Sequence, residues 1–169
     1  MRFIKPLLIA LSGLFLLLSL ISLVMPAEVR LLRSASIHAP KDSIQILLAE
    51  FKRWPEWQSF LKEPSLKYAV ASDGQSASWY VKGEKHIVRK IENPLKGFAF
   101  TISRHDAVSV EYYFTLLESG GPQDLQLQWA VSLHTRWYPW ERFSGLLFEQ
   151  AAGPGIEAAL QDLKLISEK

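Results

Sequence analysis

The 169-residue chain contains no cysteine. It therefore forms no disulfide, offers no thiolate nucleophile and binds no metal through a thiolate. A lipoprotein signal, which needs a cysteine behind its apolar segment, is excluded as well. Histidine is scarce: His38, His86, His105 and His134 are the four, and no H-E-x-x-H or other close metal-ligand spacing joins them. His105 and Asp106 are neighbours in a predicted turn, where solvated side chains are expected. There is no G-x-S-x-G elbow. There is no P-loop either, because Gly153-Pro154-Gly155 lacks both the lysine and the preceding strand and reads as a helix break. An excess of one charge is also missing. Two of the 19 Lys and Arg, Arg2 and Lys5, lie in the N-terminal tail, and the remaining 17 balance 17 Asp and Glu. A neutral domain is a poor nonspecific binder of nucleic acid, which rests on phosphate neutralisation. No nucleic-acid partner, metal or cofactor is expected.

What the chain does have is one long apolar run. Leu7 to Met25 is 19 residues without a charge. As a helix it would extend about 28 Å, close to the ~30 Å hydrocarbon core of a bilayer. The expected reading is a retained membrane anchor over residues 1–27 carrying one domain over residues 28–169. A cleaved signal peptide is the rival, with an apolar region of only about 7–15 residues and a small-x-small cleavage site. Met25-Pro26-Ala27 places Met where a small residue is preferred. Arg2 and Lys5 precede the run, while Arg30, Arg33 and Lys41 follow it, so the positive-inside count is nearly tied. The short basic tail favours a single-pass topology with the domain outside the cytoplasm, the periplasm in a Gram-negative bacterium.

Beyond Pro26 the pattern is strand, two short helices, about six strands and a long broken helix. Val29, Leu31, Ala35 and Ile37 alternate over Val29 to His38, with Arg33 interrupting the row. Ile44, Leu47, Leu48 and Phe51 share a helical face behind Asp42 or Ser43 as cap. A short second helix runs toward Phe60. Alternating segments follow from Pro64 to Thr135, broken at 72–75, 82–84, 93–97, 105–106 and 119–122. A helix is predicted from Glu141 to Ala151, resuming from Ile156 to Ile166.

Three segments in this order resemble the START-like superfamily, also called the polyketide cyclase/dehydrase or SRPBCC group. Ser34 to Pro40 is similar to its first strand and "I-x-A-P" turn. Phe51-Lys52-Arg53-Trp54-Pro55-Glu56-Trp57 resembles its "F-x-x-W-P-x-W" segment. Gly153 to Lys164 resembles its C-terminal helix. The similarity spans about residues 29–168, and an N-terminal membrane helix is familiar among bacterial members. The resemblance implies an α+β helix-grip fold, in which a curved antiparallel sheet wraps a long C-terminal helix around a cavity. Members commonly bind hydrophobic small molecules or lipids there, a minority are enzymes such as cyclases, and no universal catalytic residue carries over. Trp57-Gln58-Ser59-Phe60 departs from the frequent "W-S-P-W", and Ala159 stands where Gly is common.

Candidate cavity residues are the aromatics Trp57, Phe60, Trp79, Phe98, Phe100, Tyr112, Phe114, Trp129 and Phe148, which could equally form a plain core. Arg89 lies between Ile87 and Ile91, and Arg104 extends the row of Phe98, Phe100 and Ile102. If those faces look into the grip, a guanidinium could orient an anionic head group. Otherwise each arginine reaches solvent or pairs with Glu84 or Glu111. The aromatic stretch Trp137-Tyr138-Pro139-Trp140 suits a membrane interface or one end of the cavity. The leading expectation is a membrane-tethered module that binds a hydrophobic or lipid-like small molecule. A protein-interaction domain with a filled cavity and a cyclase- or hydrolase-type enzyme are the alternatives.

Overall fold

Strand alternation sets the architecture. The computed structural model describes residues 4–91, 97–104, 109–121 and 123–169. Helix α1 (Ile4–Val24) leads into β1 (Glu28–His38), α2 (Lys41–Ala49) and the single turn α3 (Trp54–Trp57). Then come β2 (Ala69–Val70), β3 (Ser76–Val81), β4 (Glu84–Ile91), β5 (Phe98–Arg104), β6 (Val110–Gly121), β7 (Asp124–His134) and the 29-residue α4 (Pro139–Ser167). The seven strands form one antiparallel sheet in the order β1-β7-β6-β5-β4-β3-β2.

Register decides which residues look inward. Leu31 pairs with Val131, Ala35 with Leu127 and Ile37 with Leu125. Trp129 faces Phe114, and Tyr112 faces both Val131 and Phe100. These rows turn toward the helices because they carry the large apolar side chains, each burial contributing about 1.5–3 kcal/mol. On β3 and β4 the inward pairs are Ala77 with Val88 and Trp79 with His86. Lys82 and Gly83 take φ of 51° and 83°, as a tight two-residue hairpin requires.

Helix α4 runs along β1. A Cβ on Gly145 would lie 3.1 Å from Val29, and one on Gly153 would lie 3.5 Å from the Arg33 guanidinium. Farther along, the His38 backbone N–H donates to Glu168 Oε1 at 2.9 Å. Ile156, Ala159, Leu160 and Leu163 bury the helix's inner stripe. The end of α1 is tied to the start of α4: Ser22 Oγ donates to the Trp137 carbonyl at 3.2 Å, and Arg142 Nη1 to the Met25 carbonyl at 2.7 Å.

Several local expectations change. Pro154 does not break the last helix, which runs unbroken from Pro139 to Ser167. Proline removes one ladder hydrogen bond, but the flanking glycines add no bulk and the buried residues on both sides hold the axis. Neither Asp42 nor Ser43 caps α2; Pro40 occupies that position with no side-chain bond. The extended stretch expected from Leu66 shrinks to Ala69–Val70, because Pro64–Leu66 winds into a 3₁₀ turn. Strand β6 continues through Ser119 to Gly121, where a break was expected. His105 and Asp106, and most of the 93–97 loop, lie outside the described residues.

Candidate functional site

Most of the grip is filled with aromatic rings. Phe51, Trp54, Trp57, Phe100 and Phe114 are at most 1% exposed. They meet edge to face, Phe51 with Trp54 at 4.8 Å, Trp54 with Phe100 at 5.1 Å and Trp57 with Phe114 at 6.1 Å. The two buried indoles in this cluster are satisfied. Trp54 Nε1 donates to the Leu48 carbonyl at 3.0 Å, and Trp57 Nε1 to the Leu47 carbonyl at 3.2 Å. The proline-containing turn after α2 therefore aims both tryptophans under the sheet and locks them to the helix that precedes them.

Beside this cluster lies a cavity of about 320 Å³ between α4 and the sheet. Phe60, Tyr112 and Trp129 wall one side, with Gln58 and Ser59 next to them. Ala151, Ala152, Gly155, Ile156, Ala158, Ala159 and Asp162 of α4 form the other. Small helix residues opposite aromatic rings leave the volume that Leu or Ile would fill in a close-packed core. Burial pushes the Tyr112 phenol up to about 12, so it stays neutral. Asp162 accepts a hydrogen bond from Ser59 Oγ at the rim.

The expected site residues divide among different places. Phe60, Tyr112 and Trp129 line the cavity. Trp57 backs it through ring contacts to Trp129 at 5.8 Å, while Phe100 and Phe114 belong to the filled core. Phe98 and Phe148 are half-buried against that core. Trp79 is buried on the inward row of β3, its ring 6.1 Å from that of Phe60, and stacks on His86 at 5.7 Å and 9°. Burial, and then the nearby Arg104, hold His86 below its ordinary value. Arg104 does share the inward row, but at the exposed strand end, where it pairs with Glu84 at 3.3 Å. Arg89 is corrected more sharply. With Val88 turned inward opposite Ala77 and Ile102, Ile87 and Arg89 stand on the outer face beside Ser76 and Ser78.

Two features escaped sequence reasoning. Arg33, an apparent interruption in β1, lies on the inward row and bridges to α4 through Glu149 at 2.9 Å and Glu157 at 2.7 Å. His38 Nδ1 lies 2.6 Å from Asp124 Oδ1, but both side chains are more than half exposed at the surface. Among the described residues, no three His, Asp or Glu cluster as metal ligands.

No family model matches the sequence, and no curated protein is similar to it. Solved structures do resemble the fold. A START superfamily protein from Mycobacterium smegmatis superposes with a TM-score of 0.59 at 18% identity, covering 83% of this chain and 97% of that one. A protein from Chromobacterium violaceum gives 0.54 at 16% identity, over 85% and 99% of the two chains. The protein XoxI from Bacillus cereus gives 0.54 at 12% identity, over 82% and 95%. The chain thus has a START-like helix-grip fold: a seven-stranded antiparallel sheet closed on a long C-terminal helix, with an apolar helix ahead of it.

Proposed function

We propose that this protein is a membrane-tethered module that binds a hydrophobic or lipid-like small molecule between α4 and the sheet. The observation that carries the reading is the cavity of about 320 Å³, walled by aromatic rings and faced by alanines and a glycine. The START-like fold supports it by analogy of architecture.

The tether would be α1, whose 21 residues are long and apolar enough to cross a membrane and almost wholly exposed. Its hydrogen bonds to Trp137 and Arg142 would hold the start of α4 close to the lipid. Trp137, Trp140, Leu146 and Leu147 are more than half exposed there, a composition suited to the headgroup boundary. An apolar cavity beside a lipid reservoir would load without its ligand crossing water. We place the domain on the extracytoplasmic side.

The density of the aromatic cluster favours a second reading, a protein-interaction domain whose grip is filled by its own side chains. Native mass spectrometry with organic extraction, on the full chain in lipid nanodiscs, separates the two. A bound apolar molecule at one per chain, lost in Ala159→Phe, is expected. A clean apo mass, unchanged after incubation with membrane extract, would favour the filled grip.

A further inference from the structure

The fold satisfies two of its buried indoles and leaves a third open. Trp54 and Trp57 donate to carbonyls of α2. Trp129 Nε1 has no acceptor among the described residues, although the residue is only 2% exposed. Gln58 Nε2 is in the same position at 3% exposure. Both residues line the one cavity. Burying a donor without a partner costs stability, and native proteins rarely tolerate it without a reason. Two such donors in the wall of one cavity point to an acceptor that enters from outside.

Charge then narrows the acceptor. Among the described residues the lining contains no Arg, Lys or His, and Asp162 is its one carboxylate. Tyr112 is neutral. Arg33 is engaged by Glu149 and Glu157, Arg104 by Glu84, and Arg89 faces outward. A carboxylate or phosphate would enter with no cation to meet it and Asp162 at its side, an unfavourable exchange for its hydration. A pure hydrocarbon would leave both N–H groups unpaired. The amide of Gln58 can also present its oxygen, so it can serve a hydroxyl as well as a carbonyl, whereas the indole of Trp129 can only donate.

We propose that the cavity selects lipid-like molecules bearing an uncharged oxygen acceptor, a ketone, ester or alcohol, which receives hydrogen bonds from Trp129 and Gln58. The proposal rests on the ligand-cavity reading above and gives that ligand its polar end.

Three probes of equal length test it: 2-decanone, decane and decanoate, titrated at equal mole fraction into the full chain in nanodiscs. The indole ¹⁵N–H resonance of Trp129, assigned through Trp129→Phe, reports the hydrogen bond. 2-Decanone is expected to bind about tenfold more tightly than either other probe and to shift that resonance downfield. Its advantage over decane should fall about threefold in Trp129→Phe, which keeps a ring, and about threefold in Gln58→Leu, which keeps the shape, and vanish in the double variant. If decane and 2-decanone bind alike and the Trp129 signal stays put, bound water satisfies the donors and the proposal fails while the cavity stands. Tightest binding by decanoate would overturn it too. If none of the three binds, and Ala159→Phe changes nothing, the cavity reading falls with it.

Discussion

Replacing Ala159 with leucine has opposite signs in the two accounts of this fold. Ala159 is 8% exposed, sits on the inner stripe of α4 and borders the cavity. Leucine adds three carbons. If they enter an open cavity, each contributes roughly 0.8 kcal/mol of burial, giving ~2 kcal/mol at most and about 1–2 kcal/mol after side-chain entropy is lost. If the helix–sheet interface is instead filled, the same carbons overpack it and cost about 1–3 kcal/mol. For a domain of this size the gain corresponds to a melting temperature higher by roughly 3–7 °C. The assay is thermal and urea unfolding of the full chain in nanodiscs, followed by near-ultraviolet circular dichroism. Stabilisation accompanied by loss of probe binding is expected, the trade-off common at sites where function keeps space open. A destabilised Ala159→Leu that still folds would refute the reasoning, because no room would then exist beside Ala159.

Gly97 has φ +148°, and a Cβ there would lie 2.5 Å from the Phe114 carbonyl oxygen; Gly97→Ala should therefore lose about 1–3 kcal/mol in urea unfolding, and a neutral result would contradict the close approach of β5 to β6. Arg33→Met should change stability by no more than about 1 kcal/mol, since Glu149 and Glu157 are mostly exposed and return to water, whereas a loss above ~3 kcal/mol would make the pair a buried one. His86 binds its proton less readily folded than unfolded, so the stability contributed by its neutral form is complete above its ordinary value near 6.5 and lost as pH falls below it. Melting temperatures at pH 7.5 and 5 should converge in His86→Phe, and an unchanged pH dependence would exclude His86 as the source. Trp140→Ser with Leu147→Ser should leave melting intact yet reduce quenching of Trp137 by brominated nanodisc lipid, and undiminished quenching would argue against a bilayer-facing α4.

The strands were legible because alternation is a direct consequence of the pleat. Val110 to Leu116 and Leu125 to Leu133 announce their inner face, although β6 runs on past Leu116 to Gly121. On β4 that argument runs out, because apolar residues occupy both faces. Ile87 and Ile91 outvote Val88 in the sequence, and only pairing with Ala77 and Ile102 turns Val88 inward and Arg89 outward. Arg33 looked like a flaw in β1 for the same reason: its partners Glu149 and Glu157 are more than a hundred residues away. Pro154 misled because local propensity favours a break, while the burial of Ile156 to Leu163 decides otherwise. Of the nine aromatic candidates only Phe60, Tyr112 and Trp129 line the cavity, because the same alternation marks core and cavity rings alike, and the polar donor was not legible at all. Gln58 marked itself only as a departure from the W-S-P-W pattern, and nothing local says that a glutamine after Trp57 is buried.

Isotope-filtered NMR on the full chain, labelled and purified from its own membranes into nanodiscs, tests the central claim most directly. Nuclear Overhauser contacts from an unlabelled bound molecule to the Trp129 indole and to the Ile156 and Ala159 methyls are what the account predicts. Contacts from those methyls to the Trp129 and Tyr112 rings alone, with no unlabelled partner even after lipid is added, would contradict it.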